Sequence, residues 1–187
     1  GLDQAPGFDQ TGAFLALATG PSGLTFNFAD GSSKRWVEPA VHWFAARYQR
    51  PEWLAGDSPA LRRELDAPGN GTTGNRFLPL LLLWARDDSG ADYTRLPLHW
   101  TGDGTAPVSL HRTSWTDPNA VFVGLKAGSP SGPHGQMDIG SFGLDADGER
   151  WAVDLGAEDY QLVEDHKAIR WTVFRQNSLS HNTLVIG

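Results

Sequence analysis

The sequence contains no cysteine and only one methionine among its 187 residues. Disulfide bonds and thiolate chemistry are therefore excluded, although the lack of cysteine does not identify a compartment. Basic residues are also few, since 15 lysines and arginines are outnumbered by 22 aspartates and glutamates, for a formal net charge of −7. Proteins that bind nucleic acids or anionic membranes usually carry a basic surface, so we expect neither partner.

The sequence also lacks a long hydrophobic run. Its longest apolar stretch, Leu78 to Trp84, is interrupted by Pro79 and is much shorter than the roughly 20 residues that span a bilayer. The hydrophobic content of 40% and the eight tryptophans are nevertheless sufficient for packed cores. A length of 187 residues permits one or two domains.

Both ends of the sequence indicate a piece of a longer protein. The chain opens on Gly1, without an initiator methionine or a signal peptide. It closes on Leu184, Val185 and Ile186, a pattern typical of the middle of a strand. We therefore expect the first and last parts of the fold to be truncated.

Residues 8–86 have the features of a helical region. An apolar segment from Phe8 to Ala18 predicts a first helix, and a loop rich in glycine and serine follows over Gly20–Gly31. Helical spacing of apolar residues predicts a second helix over Pro39–Tyr48. A third helix is predicted from an N-cap at Ser58 to about Leu65. A fourth begins near Asn75, and the apolar residues of its shared face are Phe77, Leu80, Leu81 and Trp84.

From about Leu96 the pattern changes to the two-residue period of strands. Val121–Leu125 has the length and residue types of a buried strand, and a last strand is predicted over Thr183–Ile186. Helices followed by strands, without alternation, indicate an α+β protein with segregated helical and antiparallel parts.

A β-hairpin is predicted near the middle of this second region. Ile139–Asp145 and Arg150–Leu155 flank the turn sequence at 146–149. In the second arm, Trp151, Val153 and Leu155 share one face of the strand. We therefore expect these three side chains to be more buried than Arg150.

Several polar residues surround this hairpin in the sequence. His134 and Asp138 precede its first arm, Asp154 lies on its return arm, and His181 precedes the last predicted strand. One histidine, one aspartate and one amide oxygen that converge from strand ends would suit a divalent cation. From the residues alone, satisfied hydrogen bonds between buried polar groups are the favoured interpretation, and a metal site is the alternative.

Three runs in this region resemble the motifs of heparinase II/III-like polysaccharide lyases. They are HGQMDIGSF at 134–142, RWAVDLG at 150–156, and an arginine followed by HNTL, here Arg175 and residues 181–184. Runs in the helical half are similar as well, namely QAPGF at 4–8, GPSG at 20–23 and FNFAD at 26–30. The resemblance therefore covers nearly the whole chain, and the three later motifs are specific as a set.

The resemblance implies a fold and an activity. It implies that residues 1–90 end an (α/α) toroid and that residues 91–187 begin an antiparallel β-sandwich, with the active-site cleft between them. Such enzymes cleave uronic-acid polysaccharides by β-elimination, so we expect an anionic polysaccharide or oligosaccharide substrate and a periplasmic or secreted location. The net charge of −7 does not contradict this expectation, because a cleft can be basic on an acidic protein.

The resemblance also implies site residues. His134 matches the histidine that the sandwich contributes to catalysis, and the positions of Gln136, Asp154 and His181 match those of the metal ligands, often to zinc. Gln136 stands where zinc-binding members carry a histidine, and a neutral oxygen donor suits calcium better. A divalent metal, zinc or calcium, is therefore one expectation, and a weak or absent metal is the other. We expect Arg175 and Asn182 of the third motif to contact substrate, since an arginine can bind a uronate carboxylate with two hydrogen bonds.

The proton-transferring tyrosine and the histidine or asparagine of the toroid are expected before Gly1. Tyr48, Tyr93 and Tyr160 do not lie in the corresponding motif, so we expect this piece to be catalytically incomplete by itself. Two other functions stay open: a non-catalytic carbohydrate-binding or structural relative, which Gln136 favours, and, with less support, a metal-dependent hydrolase. The histidines that we expect to be structural or on the surface are His42, His99, His111 and His166. Asn27 and Asp30 lie on a loop that either lines the mouth of the toroid or, the favoured interpretation, is an ordinary helix connection.

Overall fold

The computed structural model describes residues 1–66, 75–161 and 167–185, and these form an α+β protein. The α-helices are α1 (Thr11–Leu17), α2 (Pro39–Tyr48), α3 (Asp57–Asp66) and α4 (Leu81–Trp84). The strands are β1 (His99–Gly102), β2 (Val108–Arg112), β3 (Phe122–Lys126), β4 (Phe142–Ala146) and β5 (Glu149–Ala152). Short 3-10 helices lie at Leu2–Gln4, Pro51–Leu54, Leu78–Leu80, Tyr93–Arg95, Lys167–Thr172, Phe174–Gln176 and Ser178–Ser180. No helix among the described residues combines the length and the apolar character that crossing a membrane requires.

The chain forms two compact units, and the division is not sequential. The first unit contains residues 1–19 and 35–96, and the second contains residues 20–34 and 97–187. The short segment 20–34 thus associates with the strands, although helical segments flank it in the sequence. The assignment of residues 1–90 and 91–187 to two domains stays a prediction.

The helical unit follows the sequence pattern closely. Helix α2 has the predicted bounds, because Pro39 occupies its first turn and Gln49 ends it in a left-handed conformation. Helix α3 begins at Asp57, one residue before the predicted cap. Val41, Ala45 and Leu54 form a buried apolar cluster. In the fourth helical segment, the predicted face is half-buried at Leu80, Leu81 and Trp84, whereas Phe77 is exposed.

A buried polar network stabilises the same unit. Asp57 accepts hydrogen bonds from Arg35 Nη2 at 2.7 Å and from His42 Nε2 at 2.6 Å. The His42 Nδ1 atom accepts the backbone N–H of Arg86, so the imidazole proton lies on Nε2. His42 is therefore a structural residue, as predicted from the absence of a motif around it.

The second unit is built on a five-stranded antiparallel meander in the order β1-β2-β3-β4-β5. This order confirms the antiparallel strands predicted after residue 96, and each strand pairs antiparallel with the next. The strand Val121–Leu125 is observed one residue later, as β3. The hairpin is also confirmed, although its loop has only two residues, Asp147 and Gly148. Both have positive φ, of 53° and 77°, as a type I′ turn requires.

Segment 20–34 covers one face of this sheet. Phe26 is buried and packs over Gly124 and Gly143, where an added Cβ atom would overlap the Phe26 ring. Side chains on this covered face include Leu110 and Phe122, both buried. The two glycines therefore make room for an aromatic side chain that would otherwise clash with the backbone of the sheet.

Two buried carboxylates attach segment 20–34 to the sheet. Asp145 forms an ion pair with Arg150 and accepts two hydrogen bonds from Ser22, from N at 3.2 Å and from Oγ at 2.5 Å. Asp138 forms an ion pair with Lys126 and accepts the backbone N–H of Ala29 at 3.0 Å. Because buried charges require partners, these ion pairs and hydrogen bonds determine where the segment lies.

The predicted orientation of β5 is wrong. Trp151 is 67% exposed, and Val153 and Leu155 are also exposed, whereas the Arg150 side chain is only 4% exposed. Arg150 lies on the covered face because it pairs with Asp145 and donates to the carbonyl oxygens of Leu24 and Thr25. The two-residue alternation of β5 was predicted correctly, but the face that carries Arg150 is the covered face.

The predicted last strand is also wrong over its described part. Thr183–Val185 form no strand, and Ile186 lies outside the described residues, as does His166. After Ala152 the described residues form short 3-10 helices rather than further strands. Asn182 instead binds beside β4, where its carbonyl oxygen accepts the backbone N–H of Phe142.

We predict that Arg150→Ala is far more destabilising than Trp151→Ala. The arginine variant leaves the Asp145 carboxylate buried without its ion-pair partner, and such changes reduce the free energy of unfolding by about 3–5 kcal/mol. The exposed tryptophan variant should change it by about 0.5 kcal/mol or less. Chemical denaturation of both variants measures the difference. A larger loss for Trp151→Ala would contradict this assignment of the covered face.

Candidate functional site

The candidate site forms where segment 20–34 meets the loop before β4 and the residues after β5. Asp30 is its centre. The Asp30 Oδ2 atom accepts the Tyr160 hydroxyl at 2.7 Å and lies 2.9 Å from His134 Nδ1. The Asp30 Oδ1 atom accepts the Gln136 side-chain N–H at 3.0 Å. One carboxylate therefore joins three side chains that come from two other segments of the chain.

The position of His134 depends on its backbone conformation and on the hydrogen bonds of its ring. Its φ of 57° is positive, which is uncommon for a residue other than glycine. The imidazole side chain is 63% exposed, and its Nδ1 atom lies 2.9 Å from the Tyr160 hydroxyl oxygen as well as near Asp30. An N–H at Nδ1 that donates to Asp30 makes Nε2 the basic nitrogen of the ring. The loop thus presents an oriented imidazole at the surface.

Asp30 remains ionised in this arrangement. Partial burial alone would raise its pKa, but hydrogen bonds from Tyr160, His134 and Gln136 outweigh that effect and lower the pKa of Asp30 below its usual value. The positive charge that His134 carries when protonated acts in the same direction. A carboxylate in this state stabilises an imidazolium next to it.

Asp154 and His181 form a second, more buried pair. His181 Nδ1 lies 3.0 Å from Asp154 Oδ2, and their side chains are almost completely buried. The second oxygen, Asp154 Oδ1, accepts the backbone N–H of Gly156 at 2.8 Å. Gly156 has a positive φ of 68°, and an added Cβ atom would lie 2.8 Å from the carbonyl oxygen of Gly31. Glycine is therefore required at the residue that links this pair to segment 20–34.

Gln136 contacts Gly156, the glycine that also binds Asp154. Its side-chain N–H donates to Asp30 and, at 3.4 Å, to the carbonyl oxygen of Gly156. Two buried atoms, Gln136 Oε1 and His181 Nε2, have no hydrogen-bond partner within the described part of the chain. Two buried polar atoms without partners are what a cation or a bound water would satisfy.

The donor set fits a metal ion only in part. His181 Nε2 and Gln136 Oε1 have free lone pairs, but both oxygens of Asp154 already accept hydrogen bonds. Asp154 therefore has the position of a carboxylate that orients a ligating histidine, a common arrangement around metals. Among residues 1–66, 75–161 and 167–185, no three histidine or acidic side chains are grouped as metal ligands.

The two predicted substrate contacts bind backbone carbonyl groups in the structure. Arg175 Nη1 donates to Leu155 O at 2.6 Å, and Asn182 Nδ2 donates to Phe142 O at 3.0 Å and to Val153 O at 2.9 Å. Both side chains stabilise the segment that carries Asp154. Their contact with substrate stays a prediction.

Sequence reasoning missed Asp30 and Tyr160. Asp30 was assigned to an ordinary helix connection, and Tyr160 lies outside the motifs. Asp30 is 104 positions from His134 and Tyr160 is 26 positions away, so local periodicity carries no signal of their contact. The one available signal was the FNFAD run at 26–30, which belongs to the same resemblance as the histidine motif.

We predict that Asp154→Ala destabilises the protein, whereas Asp159→Ala does not. The first variant leaves His181 Nδ1 and the N–H of Gly156 without their acceptor, which should reduce the free energy of unfolding by about 1–3 kcal/mol. Asp159 is exposed and serves as the matched control. Thermal and chemical unfolding measure both. Equal stability of the two variants would show that the Asp154–His181 pair contributes nothing.

Comparison with known proteins supports the resemblance. Residues 110–187 match the family model described as Heparinase II/III-like, C-terminal. A comparison with curated proteins gives no significant match. The matched range contains β3, β4, β5, His134, Gln136, Asp154 and His181. The resemblance predicted from the motifs is thus confirmed over residues 110–187, which are similar to the C-terminal region of heparinase II/III-like proteins.

Proposed function

We propose that this chain supplies the β-sandwich side of a polysaccharide lyase active site, with His134 as its catalytic residue. The supporting observation is the exposed His134 imidazole, which Asp30 and Tyr160 hold at Nδ1. The family match supports the class of reaction, since heparinase II/III-like proteins include polysaccharide lyases. The substrate class is a uronic-acid polysaccharide, and the reaction is β-elimination.

The reaction requires groups that move protons at a sugar ring. The proton at C5 of a uronic acid is poorly acidic, so the adjacent carboxylate must be neutralised while a base removes the proton and an acid protonates the leaving oxygen. An imidazole with Nδ1–H bound to a carboxylate offers Nε2 for such a transfer or for a hydrogen bond to the uronate. Asp30 stabilises the imidazolium that results.

Tyr160 is proposed as a positioning residue in this reaction. Its hydroxyl donates to Asp30 at 2.7 Å and lies 2.9 Å from His134 Nδ1. Because the phenol proton is directed to Asp30, the imidazole keeps its own proton on Nδ1. Tyr160 thus favours the tautomer in which Nε2 is free to act.

Local charge makes the site compatible with an anionic substrate. Arg170 Nη2 donates to the carbonyl oxygen of Gly135, the residue after His134, at 2.9 Å. A guanidinium so near the histidine loop supplies positive potential despite the net charge of −7. The proposed enzyme combines an (α/α) toroid with the sandwich in the periplasm or outside the cell, and the toroid contributes the remaining tyrosine and histidine or asparagine.

A divalent cation, zinc or calcium, is proposed at His181. Its ligands here are His181 Nε2 and Gln136 Oε1, and Asp154 orients the imidazole ring. The imidazole suits zinc, whereas the amide oxygen suits calcium. Such a cation would tie the end of the described chain to the loop of His134 and thereby hold the site together.

A second candidate function is a carbohydrate-binding or structural relative without catalysis. The observation that favours it is Gln136, which replaces a histidine and directs its amide nitrogen to Asp30. The activity test below separates the two candidates.

We predict that His134→Ala lowers turnover by about 10²-fold or more in the full-length protein, the scale of a positioned acid or base. The assay incubates the protein with a panel of uronate polysaccharides and follows ultraviolet absorbance of the unsaturated product. Ser131→Ala, an exposed change in the same loop, is the control and should retain activity. Asp30→Asn should lower kcat more than it changes KM. Full activity of His134→Ala, or a wild-type protein that cleaves no uronate polymer, would overturn the proposal.

We predict further that EDTA lowers the Tm of the wild-type protein but not that of His181→Ala. A cation that binds only the folded state stabilises it, and its removal reverses this gain. Restoring Zn²⁺ and Ca²⁺ separately identifies the ion. If neither EDTA nor either ion changes the wild-type Tm, Asp154 and His181 form only a structural hydrogen bond.

A further inference from the structure

Two further histidines lie close together on the face of the sheet opposite to Phe26. His99 on β1 and His111 on β2 are directly opposite each other in the antiparallel register. His111 follows Leu110, which pairs with Gly124 on the covered face, so its side chain lies on the other face. Neither residue belongs to the three motifs or contributes to the site around His134.

The backbone brings these two side chains close together. Arg112 N donates to Leu98 O at 2.8 Å, so the next pair along the strands, His99 and His111, is a non-hydrogen-bonded pair. Side chains are closest in such pairs, where Cα atoms are about 4.5 Å apart. The two Nδ1 atoms lie 3.0 Å from each other.

Ser109 holds one of the two rings. Its Oγ atom lies 2.7 Å from His111 Nε2, on the same strand and the same face. When Nε2–H donates to this hydroxyl, the lone pair of His111 Nδ1 is directed toward His99. A hydrogen-bonded group behind a ligating imidazole is the usual way in which proteins orient such a ligand.

We propose that His99 and His111 bind a divalent transition-metal ion between their Nδ1 atoms, with water in the remaining positions. Zinc binds imidazole at about 2.0–2.1 Å, so two nitrogens at a tetrahedral angle are roughly 3.3–3.4 Å apart. At a similar bond length, neighbouring corners of a square-planar copper or nickel site are about 2.9 Å apart. The observed 3.0 Å lies between these values, so the two nitrogens are already at the separation that a shared ion requires.

The chemistry of the pair selects the kind of ion. Two neutral imidazole nitrogens suit Cu²⁺, Ni²⁺ and Zn²⁺, and Cu²⁺ binds such ligands most tightly of the three. Calcium and magnesium need oxygen ligands, and within the described residues no acidic side chain joins the two histidines as a third ligand. The site therefore takes a transition metal and releases it readily, since water completes its coordination.

Titration of the full-length protein with Cu²⁺, followed by calorimetry and by electron paramagnetic resonance, tests this proposal. We expect a binding event with nitrogen ligands that His99→Ala and His111→Ala each weaken more than tenfold, whether or not Cu²⁺ also binds at His181. Ser109→Ala should weaken it less, by about tenfold, as the loss of an orienting partner does. His181→Ala and His134→Ala should leave this event unchanged, which separates it from any ion at the first site.

The opposite result has a definite meaning. If His99→Ala and His111→Ala bind Cu²⁺ as tightly as the wild-type protein does, the pair is no metal site and its contact is a hydrogen bond only. Thermal unfolding of each variant without metal shows whether the sheet is intact. His99→Gln and His111→Gln, which keep a polar side chain, should give the same loss of Cu²⁺ binding as the alanine variants. Retained binding in the glutamine variants would also overturn the proposal.

Discussion

The attachment of segment 20–34 to the sheet by two buried carboxylates is the constraint on which the second unit depends. Asp145 and Asp138 are completely buried, and each has both a cationic partner and a hydrogen bond from the segment. A carboxylate without partners is not tolerated at such a position, so segment and sheet have to associate in one register. Phe26 then packs over Gly124 and Gly143, and Asp30 consequently lies beside His134.

The site is therefore a product of long-range packing rather than of one motif. Asp30 comes from the attached segment, His134 and Gln136 from the loop before β4, and Tyr160 from the region after β5. The family signature of residues 110–187 contains the histidine but not Asp30. The carboxylate that orients the proposed catalytic group thus lies outside the matched range, whereas Tyr160 lies within it.

Local features of the sequence predicted the elements well, and long-range features much less so. Helix α2 was predicted with its observed bounds because Pro39 and the apolar spacing act within a few residues. The orientation of β5 was predicted wrongly because Trp151 is apolar and Arg150 is charged, while the covered face of this sheet is rich in ion pairs. The sequence also predicted that Asp154 and His181 converge, either as a hydrogen-bonded pair or as metal ligands, and the structure shows the hydrogen bond. Tyr160 was missed because it lies outside the motifs, and Asp30 was missed because the FNFAD run that contains it does not name its partner.

The arrangement of segment 20–34 has a consequence for how the protein forms. Ser22 and Asp145 are 123 positions apart, and Arg150 reaches the carbonyl oxygen of Leu24 across 126 positions. Contacts of such sequence separation form late, because a long loop must close before they contribute. During synthesis, the segment leaves the ribosome well before the strands that will bind it. Phe26 therefore stays uncovered until the strands of the sheet have been synthesised. During this interval the chain depends most on protection from aggregation.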